Sequence, residues 1–364
     1  MPHADLAAML VCPRCRGGVA VPAGAFATGN AARAAGGSIT CSACPAIYPI
    51  RFGIPDFRLE PDPWISIDDE VAKIARVLER ARGGGFAKTV CAYWEETPGT
   101  PAPVAARYAL GVTRPIARET WMVLRVVGPA GAPAESGVTP DGTAGRVVLD
   151  AGCGSGALAA AAASLGFDSI GFDVALRWLV IARRRFEEMG LGERAPFLVA
   201  ASANALPLRA QTMHAVVGDD VLDHLRDPRG ALDEFRRVLA QGGLLHQTSP
   251  NRYSIALEPH ARIPALGFLP RTLRPVVARA LRGVDYREVF PLSAGDIEQL
   301  LRGAGFESIR VEPATLSNLA DARAATRLYE RIRATAPGRA LLRAVGPLLE
   351  ATARSPLTSA NPLV

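Results

Sequence analysis

The order of apolar and polar positions predicts an α/β architecture for the second half of the chain. From Arg146 onward, short apolar runs alternate with longer amphipathic ones. Short apolar runs predict buried strands, whereas apolar residues three or four positions apart predict helices. Five strands are predicted, at 147–149, 169–172, 196–199, 215–218 and 243–247. Strands separated by helices are typical of a doubly wound, Rossmann-like and mainly parallel sheet.

Helices are predicted between and after these strands. Three of them span 176–189, 232–239 and 294–302. A sixth strand is predicted at 308–311, and the stretch 321–352 is predicted to be helical throughout because of its apolar spacing. The segment 251–291 breaks the alternation, and we interpret it as an insert that forms a substrate lid.

The first half of the chain has a different pattern. A helix predicted at 67–81 is capped by Ser66 and has the apolar face Val71, Ile74, Ala75 and Leu78. More helix is predicted at 104–127, with an interruption near Pro115. The predicted domains are a small cysteine-containing unit at 1–60, a helical segment or lid at 61–127, a Gly/Pro-rich linker at 128–145 and an α/β domain at 146–364.

Composition and charge narrow the class of protein. The chain has 364 residues, of which 49% are hydrophobic, enough to bury the cores of two or three domains. The net charge is +6, and the whole excess lies from Asn251 onward, where 16 Arg face 10 Asp and Glu. This basic part indicates either an anionic ligand or an Arg-rich genome. The sequence shows no signal peptide and no membrane-spanning run, so we expect a cytoplasmic protein without a membrane partner.

Four of the six cysteines form two C-x-x-C pairs. They are Cys12, Cys15, Cys41 and Cys44. In a cytosolic chain this pattern favours metal binding over disulfides, and four thiolates close a tetrahedral structural zinc site with no open position for catalysis. A redox pair or a relict site is the alternative. The spacer of 25 residues is unusually long, and its Ala/Gly-rich part at 24–37 is predicted to be a loop.

A glycine-rich segment follows the first predicted strand of the α/β region. It reads Leu-Asp-Ala-Gly-Cys-Gly-Ser-Gly and includes Asp150, Gly152 and Gly154. Glycines allow a ligand to approach the backbone closely. Asp173 ends the next strand, 23 residues after Asp150, where an acid can accept hydrogen bonds from ribose hydroxyls. The stretch 197–207 fits a third strand followed by a loop that covers an adenine.

With a later Arg-Val-Leu-Ala-Gln-Gly-Gly at 237–243, these features resemble class I methyltransferases that use S-adenosylmethionine (SAM). The resemblance covers about 146–249, and its G-x-G-x-G loop fits a dinucleotide-binding domain less well. It implies the cofactor-binding set Asp150, Ala151, Gly152, Gly154, Asp173, Val174, Ala203, Asn204 and Asp219. The chain departs from the family at Ser202, where an acid is common, and at Met213 and His214, where Phe-Asp is common. These departures affect the expected adenine contacts and not the cofactor class.

The unit at 1–60 resembles small zinc-ribbon proteins that partner and activate methyltransferases. The resemblance includes the segment Tyr48–Pro55 after the second cysteine pair, and it implies that such a unit is fused to the catalytic domain here. Large-subunit ribosomal RNA guanine methyltransferases also join a zinc unit to a SAM domain. Their second pair includes a His, whereas this chain has Cys44.

Methyl transfer to oxygen or nitrogen often needs a base, and His is suited to that role at neutral pH. His224 follows the fourth predicted strand, and the other candidates lie in the insert. The catalytic candidates are His224, His260, Tyr253 and Glu258. The alternative for His224 is a packing role, as in many relatives, and His214 falls at the opposite end of its strand.

Three functions are compatible with these features. The leading hypothesis is O- or N-methylation of a small metabolite or glycan intermediate, and an anionic acceptor would suit the basic insert. The alternative is an RNA base methyltransferase whose zinc unit holds RNA. Residues 1–60 carry mixed charges and no basic and aromatic run, which argues against RNA. A non-catalytic SAM-fold scaffold is the third hypothesis, suggested by Ser202 and by Met213-His214. The sequence does not indicate an oligomeric state.

Overall fold

The computed structural model describes residues 3–22, 25, 37–97, 99–128, 146–316 and 324–357. The chain divides into two compact units. The first unit comprises Met1–Val216 and Arg237–Ala240, and the second comprises Val217–Arg236 and Gln241–Val364. Most of the predicted loop at 24–37 and of the predicted linker at 128–145 lies outside the described residues.

The first unit begins with a small antiparallel sheet around the cysteine pairs. A short helix, α1 (His3–Ala7), precedes it. The sheet contains β1 (Val19–Ala20), β2 (Gly37–Cys41), β3 (Ile47–Arg51) and β4 (Ile54–Pro55), paired in chain order. Alternate residues of β2 and β3 point inward, so Ile39, Tyr48 and Ile50 are buried while their neighbours are not.

Four helices follow the small sheet. They are α2 (Ile67–Arg80), α3 (Phe86–Glu95), α4 (Ala102–Val112) and α5 (Ala117–Val126). The predicted cap of α2 is confirmed, since the Ser66 side chain accepts a hydrogen bond from the Asp69 N–H. The predicted break near Pro115 is confirmed by the gap between α4 and α5. Helix α3 lies within the predicted helical segment 61–127, although the sequence analysis gave it no bounds of its own.

The buried face of α2 differs from the predicted apolar face. Ala75 is exposed, whereas Glu70 and Lys73 are buried beside Ile74. Glu70 can be buried because its carboxylate meets two buried guanidinium groups, those of Arg58 and Arg177.

The α/β part of the first unit contains three parallel strands, β5 (Val147–Ala151), β6 (Asp168–Asp173) and β7 (Phe197–Ala200). Helices α6 (Ala157–Ser164) and α7 (Leu176–Glu188) connect them. Helices α2 and α3 pack on α7, and α5 packs on α6. Tyr93 is buried in this packing against Ile181, so it belongs to the core of the first unit.

The remaining elements continue the alternation. They are β8 (Met213–Asp219), α8 (Pro228–Val238), β9 (Leu239–Pro250), α9 (Arg274–Arg282), α10 (Ala294–Gly303), β10 (Glu307–Pro313), α11 (Ala324–Arg333), α12 (Ala336–Val345) and β11 (Leu348–Arg354). The large sheet has seven strands in the order β10-β11-β9-β8-β5-β6-β7. The predicted Rossmann-like, mainly parallel α/β fold is therefore confirmed. Across the described part of the chain, we find no helix with the length and apolar character needed to cross a bilayer.

The prediction of continuous helix over 321–352 was wrong at its C-terminal end. Gly346 and Pro347 follow α12, and the chain then forms β11, antiparallel to both β9 and β10. Residues of β11 alternate between buried and half-buried, which is the period of a strand. Pro347 ends the helical stretch because proline is not tolerated inside a helix. The seven residues of β11 are also too few for helical and strand spacing to be told apart by periodicity.

A buried network of ion pairs joins α2 to the start of α7. The Glu70 carboxylate is fully buried; Arg58 Nη1 donates to its Oε2 at 2.6 Å, and Arg177 Nη1 donates to its Oε1 at 2.8 Å. Arg58 also binds Asp56 through two nitrogens, and Arg177 binds Asp62 at 2.9 Å. Each charge is hydrogen-bonded to an opposite charge, as burial of ionised groups requires.

We expect Glu70→Ala to lower the free energy of unfolding by about 3–5 kcal/mol, because it leaves two guanidinium groups buried without their shared carboxylate. Urea unfolding followed by circular dichroism measures the change. Glu79→Ala is the matched control, since Glu79 lies on the same helix and pairs with Arg82 at the surface. Similar losses for the two variants would contradict a structural role of the network.

Candidate functional site

The glycine-rich loop after β5 has a backbone that leaves room for a ligand. Gly152, Gly154 and Gly156 all have positive φ angles, a conformation that side chains disfavour. A Cβ at Gly156 would lie 2.7 Å from the Phe186 ring, whereas a Cβ at Gly154 would meet nothing within 4 Å. Gly156 is thus needed for packing, while Gly154 borders open space.

Asp173 lies at the end of β6, next to this loop. Its Oδ2 accepts a hydrogen bond from the Gly154 N–H at 2.9 Å, and its Oδ1 accepts one from the Ala175 N–H at 2.8 Å. Burial raises the pKa of Asp173 to about 6 although these two N–H groups act in the opposite direction. The glycine loop and the predicted ribose-binding acid are therefore in direct contact.

Asp150 has a different environment from Asp173. It is 3% exposed, and its Oδ2 accepts a hydrogen bond from the Ala159 N–H at 2.8 Å. Ala159 lies in the first turn of α6, so this carboxylate attaches the end of β5 to the helix that follows the loop. Ala151, the last residue of β5, is fully buried. Both residues position the loop.

Val174 carries a contact that sequence reasoning missed. Its carbonyl oxygen accepts a hydrogen bond from Arg58 Nη1 at 2.8 Å. Through this bond the buried Arg58–Glu70 pair fixes the backbone directly after Asp173. Only the burial of Arg58 reveals its role, since nothing in the local sequence distinguishes it from a surface arginine.

The predicted adenine-side loop follows β7. Ala203 is buried, and Asn204 is exposed in a turn closed by a hydrogen bond from the Ala205 N–H to the Ser202 carbonyl. An exposed amide can both donate to and accept from an adenine edge. The structure thus places Asn204 where a ligand can reach its side chain.

The cysteine unit is attached to the end of this loop, at Leu206 and Pro207. The Val11 N–H donates to the Pro207 carbonyl at 3.0 Å, and Arg16 Nη1 donates to the Leu206 carbonyl at 2.9 Å. Farther along, the Phe57 N–H donates to the Ala200 carbonyl at the end of β7 at 2.8 Å. The cysteine unit and the adenine-side loop therefore share backbone hydrogen bonds.

The four predicted metal ligands come together as the sequence indicated. Their sulfur atoms all lie within 4.8 Å of one another, with Cys12 to Cys44 at 3.8 Å and Cys15 to Cys41 at 3.4 Å. Sulfurs bound tetrahedrally to one zinc ion lie about 3.8 Å apart, given Zn–S bonds of about 2.3 Å. The donor set and its spacing fit a structural zinc site.

Groups around the cysteines support the same fit. The Tyr48 hydroxyl lies 3.0 Å from Cys12 Sγ, and the Ala43 N–H donates to Cys41 Sγ at 3.3 Å. A Cβ at Gly17 would lie 2.6 Å from the Cβ of Ala43, so only glycine permits this approach of the two cysteine loops. Such hydrogen bonds to sulfur orient ligands and stabilise thiolates.

Asp219 and the histidine candidates lie in the second unit. Asp219 ends β8, and its Oδ1 accepts a hydrogen bond from the Thr248 hydroxyl. His224 follows in a short 3₁₀ turn, and its Nε2 lies 3.2 Å from the Nε2 of His260. The structure thus brings together two histidines that are 36 residues apart in the sequence.

Two carboxylates flank this histidine pair. Glu258 Oε1 lies 2.7 Å from His260 Nδ1, and Asp223 Oδ2 lies 3.9 Å from His224 Nε2. Burial disfavours the charged form of His260, but the hydrogen bond with Glu258 and the charge of Asp223 raise its pKa. Asp223 is fully buried, which its position in a polar turn did not predict.

Tyr253 is separate from the histidine pair in its contacts. It is exposed, and its ring packs against Phe268 with centroids 5.3 Å apart.

Some arginines of the insert at 251–291 have partners within the protein. Arg274 donates to the Leu269 and Gly267 carbonyls, and Arg287 pairs with Asp285. The number of arginines in the insert therefore overstates the positive charge that a substrate could meet there.

Comparison with known proteins shows what the central region of the chain resembles. A family model described as a methyltransferase domain matches residues 149–246. This central region is therefore similar in sequence to methyltransferase domains. The match includes Asp150, the glycine loop and Asp173, and it supports SAM as the cofactor of this domain.

Curated relatives match a limited share of the chain. A ubiquinone biosynthesis O-methyltransferase of Cereibacter sphaeroides is 34% identical over 108 residues, which are 30% of this chain and 42% of the relative. A probable SAM-dependent methyltransferase of Mycolicibacterium smegmatis is 28% identical over 169 residues, 46% of this chain and 59% of the relative. The chain thus spans about half the length of these relatives.

Solved structures resemble the chain more distantly. A SAM-dependent methyltransferase of Thermotoga maritima, described as a possible histamine N-methyltransferase, shares 19% identity at a TM-score of 0.41. The alignment covers 69% of this chain and 94% of that structure.

We expect SAM affinity to fall by about tenfold between pH 7 and pH 5, because protonation of Asp173 near pH 6 removes a carboxylate that can accept from ribose hydroxyls. Isothermal titration calorimetry across this range measures the change. In Asp173→Asn, affinity should be low at every pH and lack this slope. The same slope in that variant would assign the effect to another group.

Proposed function

We propose that this protein transfers a methyl group from SAM to an oxygen or nitrogen of a small molecule. The observation that carries the proposal is the contact between Asp173 and Gly154, beside open space in a loop of positive-φ glycines. A carboxylate held by backbone N–H groups at a strand end suits a ribose, and a glycine loop suits the amino-acid part of SAM.

Each predicted cofactor residue of the first unit then has a defined task. Asp173 accepts hydrogen bonds from the ribose, while Gly152 and Gly154 allow close approach of the ligand to the backbone. Asp150 and Ala151 hold the loop, Val174 is held by Arg58, and Ala203 and Asn204 provide the adenine side. Bound SAM supplies a methyl group on a sulfonium sulfur, which the acceptor takes as it loses a proton.

A hydroxyl of a small molecule is the acceptor that we favour. The curated relatives include several named ubiquinone biosynthesis O-methyltransferases, and those names favour a small molecule over RNA. The relatives' names do not bear on an anionic acceptor, and Arg274 and Arg287 already have partners within the protein. The cytoplasmic location expected from the sequence stays a prediction.

His224 and His260 are proposed to act on the acceptor. They are the pair of histidines in the second unit that the structure brings together, and carboxylates flank both rings. Tyr253 is proposed to contact the acceptor through its exposed ring, and Asp219 to bind the cofactor at the end of β8. These roles remain proposals.

The four cysteines are proposed to hold a structural zinc ion. Sulfur-only coordination leaves no open position, so the ion would stabilise the small sheet and take no part in methyl transfer. Because Val11 and Arg16 bond to Pro207 and Leu206, ordering of this sheet would also order the adenine-side loop.

Replacement of Cys15 by serine should lower the zinc content by one ion per chain relative to the wild type. It should also weaken SAM binding by disordering the adenine-side loop. Native mass spectrometry measures zinc, and calorimetry measures SAM affinity. Cys91→Ser is the matched control, because Cys91 is exposed on α3 away from the cluster. A zinc content in Cys15→Ser equal to that of the wild type would contradict the assigned ligands.

The proposed activity is tested by incubating the full chain with methyl-labelled SAM and, in separate reactions, with small-molecule extract or total RNA of the source organism. We expect a labelled product that is heavier than its precursor by 14 Da plus the extra mass of the isotopic label. Asp173→Ala should abolish product through loss of SAM binding, whereas His224→Ala should retain SAM binding and lose turnover. Failure of the protein to bind SAM would overturn the proposal. Label found in RNA and not in a small molecule would show that the acceptor is RNA.

A further inference from the structure

We propose that Asp223, His224 and His260 bind a divalent transition-metal cation. Their ligand atoms lie within 4.8 Å of one another, in a cluster separate in sequence and ligand type from the four cysteines. Two imidazoles and one carboxylate form a known ligand set for such cations, with coordination positions left for other oxygens.

The distances between ligand atoms suit one shared ion. His224 Nε2 lies 3.2 Å from His260 Nε2 and 3.9 Å from Asp223 Oδ2. Ligands about 2.1 Å from one ion lie about 3.0 Å apart at a right angle and about 4.2 Å apart when opposite. Both distances fall in that interval, and the ligand atoms of Asp223 and His260 lie within 4.8 Å of each other.

The Asp223 carboxylate provides an independent reason to expect a cation. It is fully buried, and neither oxygen has a hydrogen-bond partner among the described residues. A buried ionised group without a partner is costly, and a metal ion is one of the few ligands that satisfies it. The backbone of Asp223 is fixed, since its carbonyl accepts a hydrogen bond from the Phe290 N–H at 2.6 Å.

Glu258 orients His260 in the manner expected of a metal ligand. With Glu258 Oε1 at 2.7 Å from Nδ1, the Nδ1 proton is held by the carboxylate and the Nε2 lone pair faces His224. Carboxylate–histidine–metal arrangements of this kind fix the tautomer and the direction of the ring. The Ala261 N–H donates to the other Glu258 oxygen and holds that carboxylate in place.

Without a cation, the two rings would share a single hydrogen bond between their Nε2 atoms. That arrangement gives each Nε2 atom a hydrogen-bond partner but gives the buried Asp223 oxygens none, whereas a cation would be shared by all three groups. If the proposed function holds, open coordination positions would receive an oxygen of the acceptor and stabilise its deprotonated form. The cation binding itself does not depend on that function.

Titration of the full chain with Mn²⁺, followed by loss of the free-ion electron paramagnetic resonance signal, tests the site. We expect one Mn²⁺ per chain, bound at least tenfold more weakly by His260→Ala and Asp223→Asn, and 10–100-fold more weakly by Glu258→Gln. His214→Ala is the matched histidine control and should bind as the wild type does. In parallel, equilibration with Zn²⁺ should give two ions per wild-type chain and one per His260→Ala chain.

Equal metal binding by the wild type and His260→Ala would overturn the inference, as would a wild type that binds no Mn²⁺ and only one Zn²⁺. Circular dichroism of each variant verifies that weaker binding does not reflect unfolding. Calorimetry with SAM on the same preparations separates the two proposals. Metal binding without SAM binding would overturn the proposed function alone, and SAM binding without metal binding would overturn this inference alone.

Discussion

The buried carboxylate of Glu70 is the contact on which the first unit depends. Two guanidinium groups, from Arg58 and Arg177, donate to its two oxygens, and no solvent reaches it. Arg58 also bonds to the Val174 carbonyl next to Asp173. A buried carboxylate needs charged partners, and those of Glu70 fix three parts of the first unit in one arrangement. These parts are the segment after β4, helix α2 and the backbone beside Asp173.

The same unit connects the cysteine cluster to the predicted adenine-side loop through hydrogen bonds. The first cysteine loop bonds to the backbone at Leu206 and Pro207, and the segment after β4 bonds to the end of β7. These bonds lie on both sides of the adenine-side loop. The small sheet contains too few apolar residues for a large core, and its hydrogen bonds connect it to the backbone on both sides of Asn204.

In the second unit, electrostatics rather than packing sets the character of the histidine cluster. Asp223 and Glu258 place negative charge around His224 and His260, and burial together with these charges raises the pKa of Tyr286 beside them. A cluster with this excess of acceptors favours a positive charge, either a proton or a metal ion. Its chemistry is therefore defined by long-range contacts between a β8 turn and the insert.

Local sequence determined the features that arise from short-range physics. The order of strand, glycine loop and acid predicted that Asp173 lies beside the loop, because parallel strands end at the same edge of a sheet. Glycine is favoured in this loop because its φ angles are positive. The C-x-x-C spacing similarly predicted the cysteine cluster. Only the tertiary structure decided that Glu70 is buried, that β11 is a strand and that His224 meets His260. Each of these depends on partners between 12 and more than 100 residues away, and local periodicity contains no information about such partners.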